Sequence, residues 1–304
     1  MEQKSSKPRV IVKIGTDLVA KNGALDHGYI GKVAKAVADL SKTHEVVLWS
    51  SGAVAAGREK LGVGKNDGSL ASKRMLASVG QPELVKAYSA ALGKYGLAPA
   101  QFLITGRGAK SREPKKLMRE TVDVAFKRGG IVPIGNVNDP LTNEEFRRLE
   151  FGAAYYAAKN ALKTRGSIAQ KTKTFSSTIR VFPDNDRAVS KVAKQIGASD
   201  VIILSNVEGL YDRPPEEGGK LISFVPHSRF GVKGYRLQLG GAKAGGSGGM
   251  LEKYLAAKRL ANQGISVTIA NGNDPQIIRG IMRGDKHGTY FAPKPAKPNA
   301  TRRR

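Results

Sequence analysis

A chain of 304 residues without a single cysteine carries no disulfide framework and no thiolate metal site, and it suits one large α/β domain or two small ones. Its four histidines, His27, His44, His227 and His287, include no pair at metal-ligand spacing. With neither a signal-peptide core nor a membrane-spanning apolar run, a soluble cytoplasmic protein is the expectation. Lys and Arg outnumber Asp and Glu 51 to 25, a net charge of +26 that holds polyanions weakly and in a salt-dependent way. Apart from the tail "APKPAKPNATRRR" the positive residues are scattered through helical segments, which argues against specific nucleic-acid binding.

Short β-branched runs alternate with longer helical patterns. "RVIVKIG" (9–15) reads as a buried strand and "GYIGKVAKAVADLSKT" (28–43) as an amphipathic helix. The strand "EVVLWSSG" (45–52) follows, then the helix opening "AVAAGREKLG". "ASKRMLASVGQPELVKAYSAALGKYG" reads as helical around a Gly-Gln-Pro interruption. Next come the strand "APAQFLIT", the helix "REPKKLMRETVDVAFKRG", and the strand "GIVPIGNVND" running into a loop. Beyond residue 181 the pattern resumes with the helix "DNDRAVSKVAKQIG", the strand "DVIILSN", the helix "GGMLEKYLAAKRLANQG" and the strand "ISVTIANG". The helix "DPQIIRGIMRG" closes it. Such alternation implies a largely parallel sheet with helices on both faces, and ligands of such sheets collect at the carboxyl ends of the strands.

The residues just after each strand are therefore the candidates. "KIGT" puts Lys13 at a strand end with Gly15 beside it, a pair suited to phosphate oxygens or, equally, a lysine reaching solvent. "SSGAVAAG" opens a helix with small residues, either for close packing or to leave a bare N-terminus for an anionic group. "KAGGSGGMLEK" (243–253) runs a glycine-rich loop into a helix with Lys253 in its first turn, which favours phosphate binding over a linker. "FPDNDRAVS" (182–190) places Asp184, Asn185 and Asp186 at a helix mouth, where acids also serve as ordinary caps.

"VKIGT", "SSGAVAAGREKLG", "VGQPEL", "NVND", "DNDRAVS", "LSNVEGLYD", "GSGGMLEK" and "GTYF" stand in the order found in glutamate 5-kinases, so the chain resembles that family over about residues 9 to 291. The resemblance implies the amino acid kinase fold, a three-layer αβα sandwich on a mostly parallel sheet. It also implies transfer of the γ-phosphoryl group of ATP, with Mg²⁺, to the side-chain carboxylate of L-glutamate, as the first step toward proline. It assigns Ser51, Asp139 and Asn185 to the glutamate, with Asp184 shaping the substrate loop. Lys13 and Lys253 would bridge the phosphates, and Asp186 would orient both lysines, which are expected to lie outside the core. Gly15, Ser205, Asn206, Ser247, Gly248, Gly249 and Met250 would line the nucleotide. Proline as an inhibitor and a homo-oligomer, dimer or tetramer, belong to the same expectation.

The organisation that follows is an N-terminal extension (1–8), a kinase domain (9–291) and a basic tail of disorder-prone composition (292–304). The C-terminal RNA-modification-type domain of many relatives is not expected. The sequence departs from the family at Val137 and Asn206, where relatives usually carry acids, and at Asp17, where they carry Ser. An insertion at about 143–180 separates Asp139 from Asp184 and includes a helical stretch, "FGAAYYAAKNALKTRG". Its place between two substrate loops leaves surface decoration and a regulatory or assembly role both open.

Overall fold

The computed structural model describes residues 7–64, 69–104, 112–137, 185–213, 215–227 and 250–295. Strand β1 (Arg9–Ile14) sits mid-sheet, flanked by β4 (Glu45–Ser50) and β7 (Asp200–Ser205). Outward from β4 lie β6 (Ile131–Val137) and β5 (Ala98–Ile104), and outward from β7 lies β9 (Ser266–Asn271). These six strands are mutually parallel. The edge beyond β9 turns back: β10 (Thr289–Phe291) runs antiparallel to β9, and β8 (Phe224–Val225) pairs with β10. A separate hairpin, β2 (Ala20–Lys21) and β3 (Ala24–Leu25), follows the short helix α1 (Thr16–Val19).

Successive strand residues face opposite sides of a sheet, and β1 obeys this rule closely. Val10, Val12 and Ile14 enter one core layer, covered by α2 (His27–Ser41), α4 (Leu70–Gly93) and α8 (Ile277–Arg283). Ile11 enters the other, with residues of α5 (Arg112–Arg128), α6 (Asn185–Val192) and α7 (Met250–Asn262). Helices on both faces of a mainly parallel sheet make the three-layer αβα sandwich that the alternating pattern implies. Arg9 secures the amino end of the sheet, pairing with Glu45 at 2.7 Å and Asp123 at 2.8 Å. No helix among the described residues is long and apolar enough to cross a membrane.

Helix α4 corrects the expected interruption, because it runs unbroken from Leu70 to Gly93 with Pro82 inside it. Its glycine is there for close approach instead. A Cβ on Gly80 would stand 1.8 Å from the carbonyl oxygen of Ala53, and one on Gly57 would stand 1.9 Å from that of Leu76. Helix α3 (Ala53–Leu61) therefore lies backbone to backbone on α4, which is the packing reading of "SSGAVAAG". The "GTYF" motif is also structural. Buried Thr289 accepts a hydrogen bond from the Leu210 N–H at 2.7 Å, so β10 holds the loop after β7.

Pairing continues past the boundary read at 291, since the amides of Ala292 and Lys294 donate to the carbonyls of Val225 and Ala261. The insertion at about 143–180, its helical stretch, Asp139, Asp184 and the loop residues Ser247, Gly248 and Gly249 lie outside the described residues.

Candidate active site

The carboxyl ends of β1, β4, β6 and β7 meet the first turns of α6 and α7 at one place. Lys13, in β1, lies between Trp49 of β4 and Ile203 of β7 in the sheet. Its face is the one covered by α6, and its Nζ stands 2.7 Å from Oδ1 of Asp186. Lys253, in the first turn of α7, brings its Nζ to 4.0 Å from the other carboxylate oxygen. Asp186 is 1% exposed, Lys13 4% and Lys253 7%. Two ammonium groups are thus held on either side of one buried carboxylate. Such a pair is costly to desolvate and persists only where the geometry compensates it.

Beside this triad stands a neutral network. The Trp49 indole N–H donates to Oδ1 of Asn185 at 2.9 Å, and Nδ2 of Asn185 donates to Oγ of Ser51 at 2.9 Å. Ser50, one residue earlier, donates to the Ser51 carbonyl, so the Tyr88 hydroxyl, 2.9 Å from the Ser50 oxygen, is the donor to it. Burial holds the Tyr88 hydroxyl well above the usual phenol range, with the Ser50 bond acting weakly the other way. Gly52 follows with φ +117°, a left-handed conformation, and a Cβ there would meet Val19 at 2.9 Å. On β6, Asn136 accepts from the Val137 N–H and donates to Gln81 of α4 at 2.9 Å. The strand end leading toward Asp139 is therefore tied to α4.

On the other side of β1, Gly15 and Ser205 end adjacent strands. The Gly15 N–H points to the Leu204 carbonyl at 3.4 Å, and Ser205 is buried with its hydroxyl 3.5 Å from Asn206 Oδ1. Gly15 is extended (φ −72°, ψ 156°), and a Cβ there would touch Leu204 O at an ordinary 3.6 Å. Nothing in the protein's own backbone therefore demands glycine at that strand end.

A lysine pair around a buried aspartate, beside an amide and a hydroxyl at parallel strand ends, is a place for two anions. The profile of the amino acid kinase family matches residues 8–271. A glutamate 5-kinase of Anaeromyxobacter dehalogenans is 33% identical over 94% of this chain and 67% of its own length. One from Dehalococcoides mccartyi is 30% identical over 97% of this chain and 71% of its own. This chain belongs to the amino acid kinase family, on its glutamate 5-kinase branch. A solved isopentenyl phosphate kinase, only 16% identical, superposes with a TM-score of 0.56 over 93% of this chain and 100% of that one, and so shares its fold. Family membership makes the chain a phosphotransferase.

Of the residues singled out in the sequence, the structure brings together Lys13, Ser51, Asn185, Asp186 and Lys253, with Gly15, Ser205 and Asn206 at the neighbouring strand ends and Met250 opening α7. One expectation is overturned. Lys13 and Lys253 are buried, because each reaches Asp186 from within a layer of packed elements, so neither is a surface group. Asn206 and Asp17, two of the three departures, are exposed, whereas Val137 is buried in the α6-side core. Trp49 and Gln81 escape sequence reasoning. Trp49 looks like one more apolar residue of a buried strand, and Gln81 lies hidden in the supposed helix break. A signal existed for each: the chain's one tryptophan directly precedes "SSG", and a glutamine is a poor choice for a buried helix face.

Proposed function

We propose that this enzyme transfers the γ-phosphoryl group of ATP to the side-chain carboxylate of L-glutamate, giving L-glutamyl 5-phosphate and ADP on the way to proline. The observation that carries the reading is the Lys13–Asp186–Lys253 triad, with Asn185 and Ser51 next to it. The names of the relatives support the choice of acceptor.

The acceptor carboxylate has an unperturbed pKa of about 4.3 and is already ionised at neutral pH, so no general base is required. One carboxylate oxygen forms a bond to the γ-phosphorus as the bond to the β-γ bridging oxygen breaks, and ADP takes that electron pair. What the protein must supply is alignment of two anions and neutralisation of charge on the moving group. Lys13 and Lys253 supply the positive charge, one from each side of the transferred phosphoryl. Asp186 keeps the two ammonium groups apart and aimed while the site is empty of phosphate. Ser51 and Asn185, with Asp139 and Asp184, hold the amino acid. Gly15, Ser205, Asn206, Met250 and the loop residues Ser247, Gly248 and Gly249 hold the nucleotide. Mg²⁺, when bound with the nucleotide, would supply further charge neutralisation on the phosphate oxygens.

ADP release measured with L-glutamate, N-acetylglutamate, L-aspartate and UMP as acceptors tests the reading. Turnover with L-glutamate at least about tenfold above the others supports it. Preference for any of the other three overturns it.

A further inference from the structure

We infer that Trp49 is a positioning residue for the acceptor: its indole N–H fixes the Asn185 amide in the orientation that offers N–H donors to a carboxylate, an inference that rests on the glutamate-binding reading of Asn185. In the sheet, Trp49 is paired with Lys13 on one side and Gly135 on the other. Residues paired across parallel strands project to the same face, so all three look toward α6. Gly135 places nothing there, and the indole occupies the room. A Cβ on Gly135 would lie 2.3 Å and 2.4 Å from Cε3 and Cζ3 of the ring. Any side chain at 135 therefore displaces the indole, which is 1% exposed.

From that seat Nε1 reaches Asn185 at 2.9 Å. An indole nitrogen only donates, so the atom it meets is the amide oxygen, and Nδ2 faces Ser51. Because the Ser51 oxygen accepts from Nδ2, its own proton remains to be given. The second N–H of Asn185 has no partner among the described residues. Both groups thus present donors, which suits an anionic oxygen and rejects an ammonium group. Without the indole the amide can turn over. Its oxygen would then take the Ser51 proton and leave an acceptor pointing where an acceptor repels.

Trp49→Phe keeps most of the ring and removes the donor. We expect the glutamate KM to rise about threefold to tenfold, the size of one net hydrogen bond, with the ATP KM within about twofold of the parent. Trp49 is the chain's one tryptophan, so its emission reads the bond. It should shift on saturation with L-glutamate in the absence of ATP, and again in Asn185→Ala. Gly135→Ala removes no polar group but displaces the indole, and should raise the glutamate KM in the same selective way, with little added effect in the Trp49→Phe background. Additive effects, equal changes in both KM values, or an emission indifferent to glutamate would overturn the inference. If Asn185→Ala raises the glutamate KM and Trp49→Phe does not, Trp49 is filler and only this inference fails. If Asn185→Ala leaves the glutamate KM unchanged, the glutamate-site reading falls and takes the inference with it.

Discussion

Replacing Lys13 by Met removes one charge from a site that has almost no water to compensate for it. The methionine keeps the length of the side chain, so the packing between β1 and α6 is nearly conserved and the effect is electrostatic. Asp186, 1% exposed, loses the nearer of its two described cationic partners, at 2.7 Å, and keeps the one at 4.0 Å. At any single dielectric the attraction at the longer distance is weaker by about a third. Removing one member of a buried pair costs about 3–5 kcal/mol, so Lys13→Met should fall near that range and Lys253→Met below it. Asp186→Asn should cost a similar amount, because it leaves two buried ammonium groups side by side. The pair effect is read from a double-mutant cycle by urea denaturation: Lys13→Met with Asp186→Asn should cost less than the sum of the singles. Turnover of the folded Lys13→Met enzyme should drop by about 10²–10³, the scale of losing one preorganised charge. Strict additivity, or a Lys13→Met protein as stable as the parent, would refute the claim that this lysine is a buried partner of Asp186.

Other consequences are equally open to measurement. Asn185→Ala and Asp139→Ala should raise the glutamate KM while leaving the ATP KM within about twofold, since removal of one polar contact acts on the ligand that makes it; a fall in ATP affinity instead would misplace the substrate loops. Gly80→Ala puts a Cβ 1.8 Å from a backbone oxygen of α3, which cannot swing aside, and should cost about 1–3 kcal/mol by thermal or urea unfolding; a neutral outcome would contradict the backbone-to-backbone packing of α3 and α4. Tyr29 and Tyr88 both titrate above the ordinary phenol range: Tyr29 through burial first and then the nearby Tyr88, Asp274 and Asp26, Tyr88 through burial. A folded-state pKa above the unfolded one means stability that is complete below about pH 10 and lost as pH rises beyond it. The Tyr29→Phe/Tyr88→Phe variant should therefore unfold less steeply on the alkaline limb than the parent, and identical limbs would contradict the assignment.

Periodicity made most of this fold legible. Six parallel strands and the helices between them follow from β-branched runs alternating with amphipathic segments, because each element must bury one face against the next. The antiparallel edge was less visible: β8 and β10 are two and three residues long, too short for an alternation to register. The break expected at Gly80-Gln81-Pro82 failed for a different reason. Local propensity disfavours a helix there, but the close contact with α3 and the Gln81–Asn136 hydrogen bond outweigh it. In the site, motif order located Lys13, Asn185, Asp186 and Lys253, yet no one-dimensional pattern tells that two lysines are buried on a shared carboxylate. Trp49 depends on a neighbour 86 positions away that is missing a side chain, a relation that only the strand register exposes.

The chemical nature of the product is the most direct test of glutamate phosphorylation. An acyl phosphate reacts with hydroxylamine to give a hydroxamate, which no phosphate ester or phosphoanhydride does under the same mild conditions. Incubating the enzyme with ATP, Mg²⁺, hydroxylamine and L-glutamate should yield γ-glutamyl hydroxamate in step with ADP, and the yield should collapse in Lys13→Met. ADP release with no hydroxamate, or a hydroxamate that forms with N-acetylglutamate or aspartate and not with glutamate, would contradict it.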